Sequence, residues 1–257
     1  MAAQDCIDAL HRSHEHLSSI VDALSEEEYT SPSYDTEWTI AQVLSHLGSQ
    51  SEIFPLMLDA GLTGTAAPGP AQFQPIWDRW DAKSPKDQVA DYTAATGAAL
   101  GQLDAMSEEE RSAFSIEMFG MTLDLSAVLR MRLNEHSLHT WDVAVARDSS
   151  ARVDAEAAAL VFDLALQLAE RVGRPQEGSA PVGLHVLDLS RAYELELDPK
   201  VRFVPVGLRG ESGRTATMEA ESVLRLIAGR LDAEHLPATV ELKGVTLGEL
   251  RQVFPGY

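Results

Sequence analysis

The hydrophobic pattern of this chain changes period once, near residue 173, and that change limits the folds open to it. Before it, apolar residues recur at helical spacing. Residues 4–24 carry Ile7, Leu10, Leu17, Ile20, Val21 and Leu24 on one stripe. A second helix carries Ile40, Val43, Leu44, Leu47, Ser51 and Phe54, with Thr39 or Thr36 as its N-cap. A third is expected from about Phe73 to Leu103, interrupted near Ser84-Pro85 because proline disfavours helical backbone in the residue before it. A fourth, Leu123 to Ala146, has Leu125, Val128, Leu129 and Leu133 on its apolar face. A fifth, Asp154 to Arg171, stops at Gly173 and Pro175. Ser31–Ser33 and the stretch GLTGTAAPGPA, residues 61–71, read as loops.

After the linker-like GRPQEGSAP, residues 173–181, the period becomes two. VGLHVLDL and AYELELD alternate around a turn at Ser190-Arg191, and VRFVPVGL, RTATMEA and TVELKG continue the strand character. Helices are expected at about Glu219–Arg230 and at Leu247–Val253. The fold is therefore mainly α: an all-α domain over residues 1–172, then a small α+β domain over 173–257. No internal repeat or low-complexity tract is present.

Composition narrows function by exclusion. Forty Asp and Glu against twenty Lys and Arg give a net charge of −20. Such a surface repels phosphate backbones and anionic lipids, so no nucleic acid and no membrane is expected as a partner. No stretch approaches the ~18 unbroken apolar residues of a membrane span. The N-terminal MAAQDCIDALHRSHEHL lacks the basic and apolar regions of a secretory signal. Cys6 is the single cysteine, which rules out an intramolecular disulfide and makes a cytoplasmic location the expectation. An anionic substrate would need positive charge at its site, from a metal or a local arginine.

Glu135 and His139 stand four apart in the fourth helix, so their side chains share a face. A carboxylate and an imidazole so placed offer two ligands to a borderline metal such as zinc. His46 lies beside the apolar stripe of the second helix and can supply a third if the two helices pack. Two histidines and a glutamate leave one coordination position open, as catalytic sites do. From spacing alone an E-x-x-x-H pair is more often a surface pair, and a lone inward histidine more often a satisfied core residue.

Other residues weigh less. His11 and His14 share a face of the first helix while His16 points elsewhere, and a solvated face is the expectation for them. His136 points about 100° from Glu135, which suits a structural or supporting role. Asp142, three residues past His139, suits orienting a ligand imidazole or a helix surface. His185 and His235 have no partner pattern, and Cys6 is expected to be buried rather than reactive. The glycine-rich fragments follow no strand and open no helix, so they are not phosphate cradles.

Two stretches carry a resemblance. SEEEYTSPSYDTEWTIAQVLSHL, with Trp38, Thr39 and His46, resembles the N-terminal segment of the mycothiol-dependent maleylpyruvate isomerase family, one of the DinB-like metalloenzyme bundles. RMRLNEHSLHTWDVAVA resembles the same family's second element, with Glu135, His139, Trp141 and Asp142. SVLRLIAGRLD, with Gly229 and Arg230, is similar to a helical signature of the family's C-terminal domain. The chain departs from many relatives at Tyr34-Asp35-Thr36-Glu37, an acidic turn before the tryptophan. The resemblance implies a DinB-like bundle, a metal triad of His46, Glu135 and His139, and mycothiol as thiol cosubstrate. It implies a metal-dependent S-transferase or cis-trans isomerase acting on a small electrophile. Arg230 is the candidate catalytic cation for a substrate carboxylate, in a cleft expected between the two domains. Two alternatives stay open: a non-heme iron(II) oxygenase, whose facial triad uses the same ligand types, and a non-catalytic metal-binding protein. Oligomeric state is left open.

Overall fold

The computed structural model describes residues 3–34, 37–207 and 213–256. The chain divides into two compact units, Met1–Ala151 and Arg152–Tyr257.

The first unit is a helical bundle. Helix α1 (Ala3–Asp22) packs on α6 (Leu125–Val145), and α2 (Ile40–Thr63) packs on α4 (Pro85–Ala105). Their apolar stripes meet in one core that includes Leu17, Val21, Val43, Leu44, Leu47, Val89, Tyr92 and Val143. Thr39 caps α2 in a reciprocal capping box with Gln42. The alternative cap, Thr36, lies outside the described residues, as does its neighbour Asp35 in the acidic turn.

The expected third helix is two helices, α3 (Pro70–Asp81) and α4, divided where Ser84 caps the second and Pro85 takes its first position. Residues 61–71 are not all loop. Helix α2 runs on to Thr63 because Gly61, having no side chain, lets the Phe114 ring close against it, and α3 already starts at Pro70. A short helix α5 (Glu108–Ala113) and a hairpin, β1 (Ser115–Met118) with β2 (Met121–Asp124), then lead into α6.

Gly48 lets the buried Trp80 indole of α3 lie directly on α2. A Cβ at this position would stand 2.2 Å from the ring atom Cη2. In a helix Gly→Ala normally gains up to about 1 kcal/mol. Here overpacking against a rigid ring costs about 1–3 kcal/mol and wins. Gly48→Ala should therefore lower the midpoint of thermal unfolding by several degrees. An unchanged midpoint would mean that the indole does not rest on Gly48.

The second unit begins with α7 (Ala155–Val172), which packs on α8 (Ala220–Ile227) and on strand β5 (Arg202–Val206). The sequence places the domain boundary at 172/173. The structure assigns α7 to the later unit, because its apolar face is buried there. The strands β3 (Val182–Val186), β4 (Arg191–Glu196), β5 (Arg202–Val206), β6 (Thr215–Met218) and β7 (Glu241–Lys243) form one sheet in the order β5-β4-β3-β6-β7. Only β3 and β6 run parallel. Helix α9 (Leu247–Val253) packs on α8, whose buried Arg225 makes a paired contact with Glu221. No helix among the described residues is long and apolar enough to cross a membrane.

Candidate metal centre

His46 comes from the second turn of α2, and Glu135 and His139 from successive turns of α6. Their donor atoms all lie within 4.8 Å of one another. His46 Nε2 stands 3.4 Å from Glu135 Oε2, and His139 Nε2 stands 3.8 Å from the same oxygen. Donors around a tetrahedral zinc, each at ~2.0–2.2 Å from it, are themselves roughly 3.3–3.6 Å apart. The His46–Glu135 separation falls in that range, the other separations are somewhat wider, and the donor chemistry suits a divalent metal.

The surrounding residues fix these ligands. The His139 Nδ1–H donates to Asp142 Oδ2 at 2.8 Å, which leaves Nε2 free to face the cluster. Asp142 is 0% exposed, so it is no surface carboxylate. The Trp38 indole stacks on His139, with ring centres 6.0 Å apart, and leans on His46 at 5.2 Å. Burial pushes the Glu135 carboxyl up. The hydrogen bond from His46 and the charges of His139, His46 and Arg132 outweigh this, and its pKa falls below the usual carboxylate range.

Arg132, one turn before Glu135, escaped the sequence reading. Its Nη2 donates to the Leu47 carbonyl at 3.1 Å and to Ser51 Oγ at 2.7 Å. It thereby clasps α2 beside His46 and sets the two ligand-bearing helices against each other. Burial lowers its pKa to about 10, so it stays charged at neutral pH.

His136 is fully buried on the other side of α6. It meets Ser13 Oγ at 2.8 Å and the Tyr92 hydroxyl at 3.0 Å, and burial holds its pKa well below the usual imidazole value. His14 faces the same place, 3.3 Å from the Tyr92 hydroxyl. It is half-buried rather than solvated, because α1 turns it toward α4 and α6. His11 does face outward, where it pairs with Asp104. Cys6 is buried, and burial raises its thiol pKa. Arg230 belongs to the second unit, just past α8, where its Nη1 donates to the Ala228 carbonyl. His235 there pairs with Asp232.

A cleft of about 450 Å³ opens beside His46. It is built wholly within the first unit, by residues such as Trp38, Gln42, Gln50, Trp77 and Asp81. The sequence predicts a cleft between the domains, whereas this one lies within the first unit. The signal for this one was present: Gln42, His46 and Gln50 stand four apart along α2 and share a face.

Residues 10–144 match the family model described as the mycothiol maleylpyruvate isomerase N-terminal domain. Two solved structures share the fold over nearly the whole chain. One is described as the crystal structure of the mycothiol-dependent maleylpyruvate isomerase (TM-score 0.66, 14% identity, 94% of this chain and 93% of that chain). The other is a histidine-to-alanine mutant of that enzyme (TM-score 0.64, 14% identity, 90% of each chain). No curated protein is matched.

Proposed function

Since the chain belongs to the mycothiol maleylpyruvate isomerase N-terminal domain family, we propose that it is a metal-dependent mycothiol enzyme, a cis-trans isomerase of maleylpyruvate type or an S-transferase using the same addition step. The convergence of His46, Glu135 and His139 beside an open cleft supports this reading above all. A divalent metal, zinc by the nature of the donors, would lower the pKa of a thiol entering its open position, so that the sulfur is delivered as thiolate.

The chain's own residues prepare that position. Asp142 holds the tautomer of His139, Arg132 sets α2 against α6, and Trp38 packs against both imidazoles. The thiolate then adds to one carbon of a conjugated C=C, and the displaced electron pair moves onto the conjugated carbonyl oxygen. The new single bond rotates, and the returning pair expels the thiolate, so no electron or proton is consumed. In a transferase the adduct takes up a proton and keeps the sulfur.

Incubating the protein with mycothiol and a panel of electrophiles, with products read by mass, tests the reading. Isomerised substrate of unchanged mass, or a thiol adduct, is expected. Loss of substrate to a hydrolysed or oxygenated product would overturn the proposal.

A further inference from the structure

Inside the bundle a small cavity lies between α1, α2, α4 and α6, and the space in it open to the centre of a water molecule is about 10 Å³. Its apolar side includes Leu10, Phe54 and Leu103, and its polar side is Ser51, Thr96, His136 and Arg132. All of these but Arg132 are almost completely buried. Arg132 is partly buried as a residue, yet its Nη1 is fully buried and has no hydrogen-bond partner among the described residues. A buried guanidinium N–H without an acceptor is costly, because a charged donor gives up its hydration and gains nothing for it.

The neighbouring hydrogen bonds fix which groups are left over. The Ser51 hydroxyl donates to the Leu47 carbonyl at 2.8 Å. Its hydrogen is thereby spent, so in the 3.0 Å contact between Ser51 Oγ and Thr96 Oγ1 the threonine is the donor. Ser51 Oγ also accepts from Arg132 Nη2, which fills its lone pairs. His136 has both ring nitrogens engaged, with Ser13 Oγ and the Tyr92 hydroxyl. Two groups remain: a donor, the Arg132 Nη1–H, and an acceptor, Thr96 Oγ1, whose own hydrogen is committed. A cation would meet the guanidinium. A halide would accept from Arg132 but face the lone pairs of Thr96. A water molecule accepts from the first group and donates to the second, and roughly 10–15 Å³ of such space is enough to hold it. We propose that this cavity is a hydration site, in which one long-lived water bridges Arg132 Nη1 and Thr96 Oγ1. The bridge extends the Arg132 clasp from α2 to α4, so the helix that carries Glu135 and His139 is tied to both at one point. The inference uses neither the metal nor the thiol reading, since it rests on buried hydrogen bonds alone.

Two measurements on the full chain test the assignment: a crystal structure at a resolution that shows ordered water, and oxygen-17 relaxation dispersion in solution. The dispersion is recorded for the unmodified protein, Thr96→Val and Thr96→Ser. Valine keeps the shape of threonine and removes the acceptor, whereas serine keeps the acceptor. A density peak is expected at hydrogen-bond distance, about 2.7–3.2 Å, from both Arg132 Nη1 and Thr96 Oγ1. Thr96→Val should lose one long-lived water, and Thr96→Ser should lose none. An empty cavity, an Arg132 Nη1 paired with a protein acceptor, or a halide at the site in crystals grown with bromide would overturn the proposal. So would the same number of long-lived waters in all three proteins.

Discussion

The His139→Ala protein is expected to purify with far less than one divalent metal per chain, and to lose turnover by about a thousandfold or more, since a bound cation supplies several kcal/mol of charge stabilisation. It should nevertheless fold. The bundle core is made by Leu17, Val43, Leu44, Leu47, Tyr92, Val143 and their neighbours from four helices, and His139 is not among them. Unlike a zinc finger, this unit has its own apolar core and does not need a metal to form one. Asp142→Asn keeps the shape but alters the hydrogen bond to His139, and should weaken metal binding by about 10- to 100-fold. Metal analysis and far-ultraviolet circular dichroism on the three proteins decide the matter. Stoichiometric metal in His139→Ala would remove that residue from the ligand set.

Omitting the thiol should abolish turnover altogether, whereas Cys6→Ser should keep most of it. Cys6 is the chain's single sulfhydryl. It is buried in α1, and burial raises its pKa, so at neutral pH it is a thiol and not the nucleophilic thiolate. The serine hydroxyl in its place costs about 1–3 kcal/mol if left unpaired, so rates are to be compared per folded protein. Full turnover without added thiol would favour an oxygenase or a hydrolase. Complete loss in a folded Cys6→Ser protein would make the chain's own sulfur the nucleophile.

Long periodic helices and the Glu135–His139 pair were readable from the sequence because both rest on local spacing, whereas His46 joins them only through the packing of α2 against α6. Glu135 and His139 needed only the helical repeat, and Ser84-Pro85 marked the division of α3 from α4 without tertiary information. The hairpin at residues 115–124 was not readable. Its strands have four residues each, and its turn places Phe119 and Gly120 at positive φ, a pair without the usual asparagine or aspartate. His14 looked solvated because neighbouring positions on α1 are polar. Only the packing of α1 on α6 reveals that it faces His136 and Tyr92. The unit that α7 joins was not legible, because α7 has a strong apolar face and a face does not name the unit that will cover it. Arg132 went unnoticed because a basic residue on a helix is usually solvated, and its bond to the Leu47 carbonyl is a tertiary fact.

Asp142 acts in two directions at once. Its carboxylate receives the His139 imidazole, and its backbone carbonyl accepts the Tyr34 amide. Ser33 in turn holds the Trp38 carbonyl through both its amide and its hydroxyl. The segment carrying Trp38 and the helix carrying two of the three candidate ligands are therefore joined at one residue. The walls of the centre are ordered by folding itself, before any ligand arrives. A molecule entering the cleft meets a preorganised surface and need not supply the conformational entropy of arranging it. Weak individual contacts to a small, flexible cosubstrate can then add up to useful affinity.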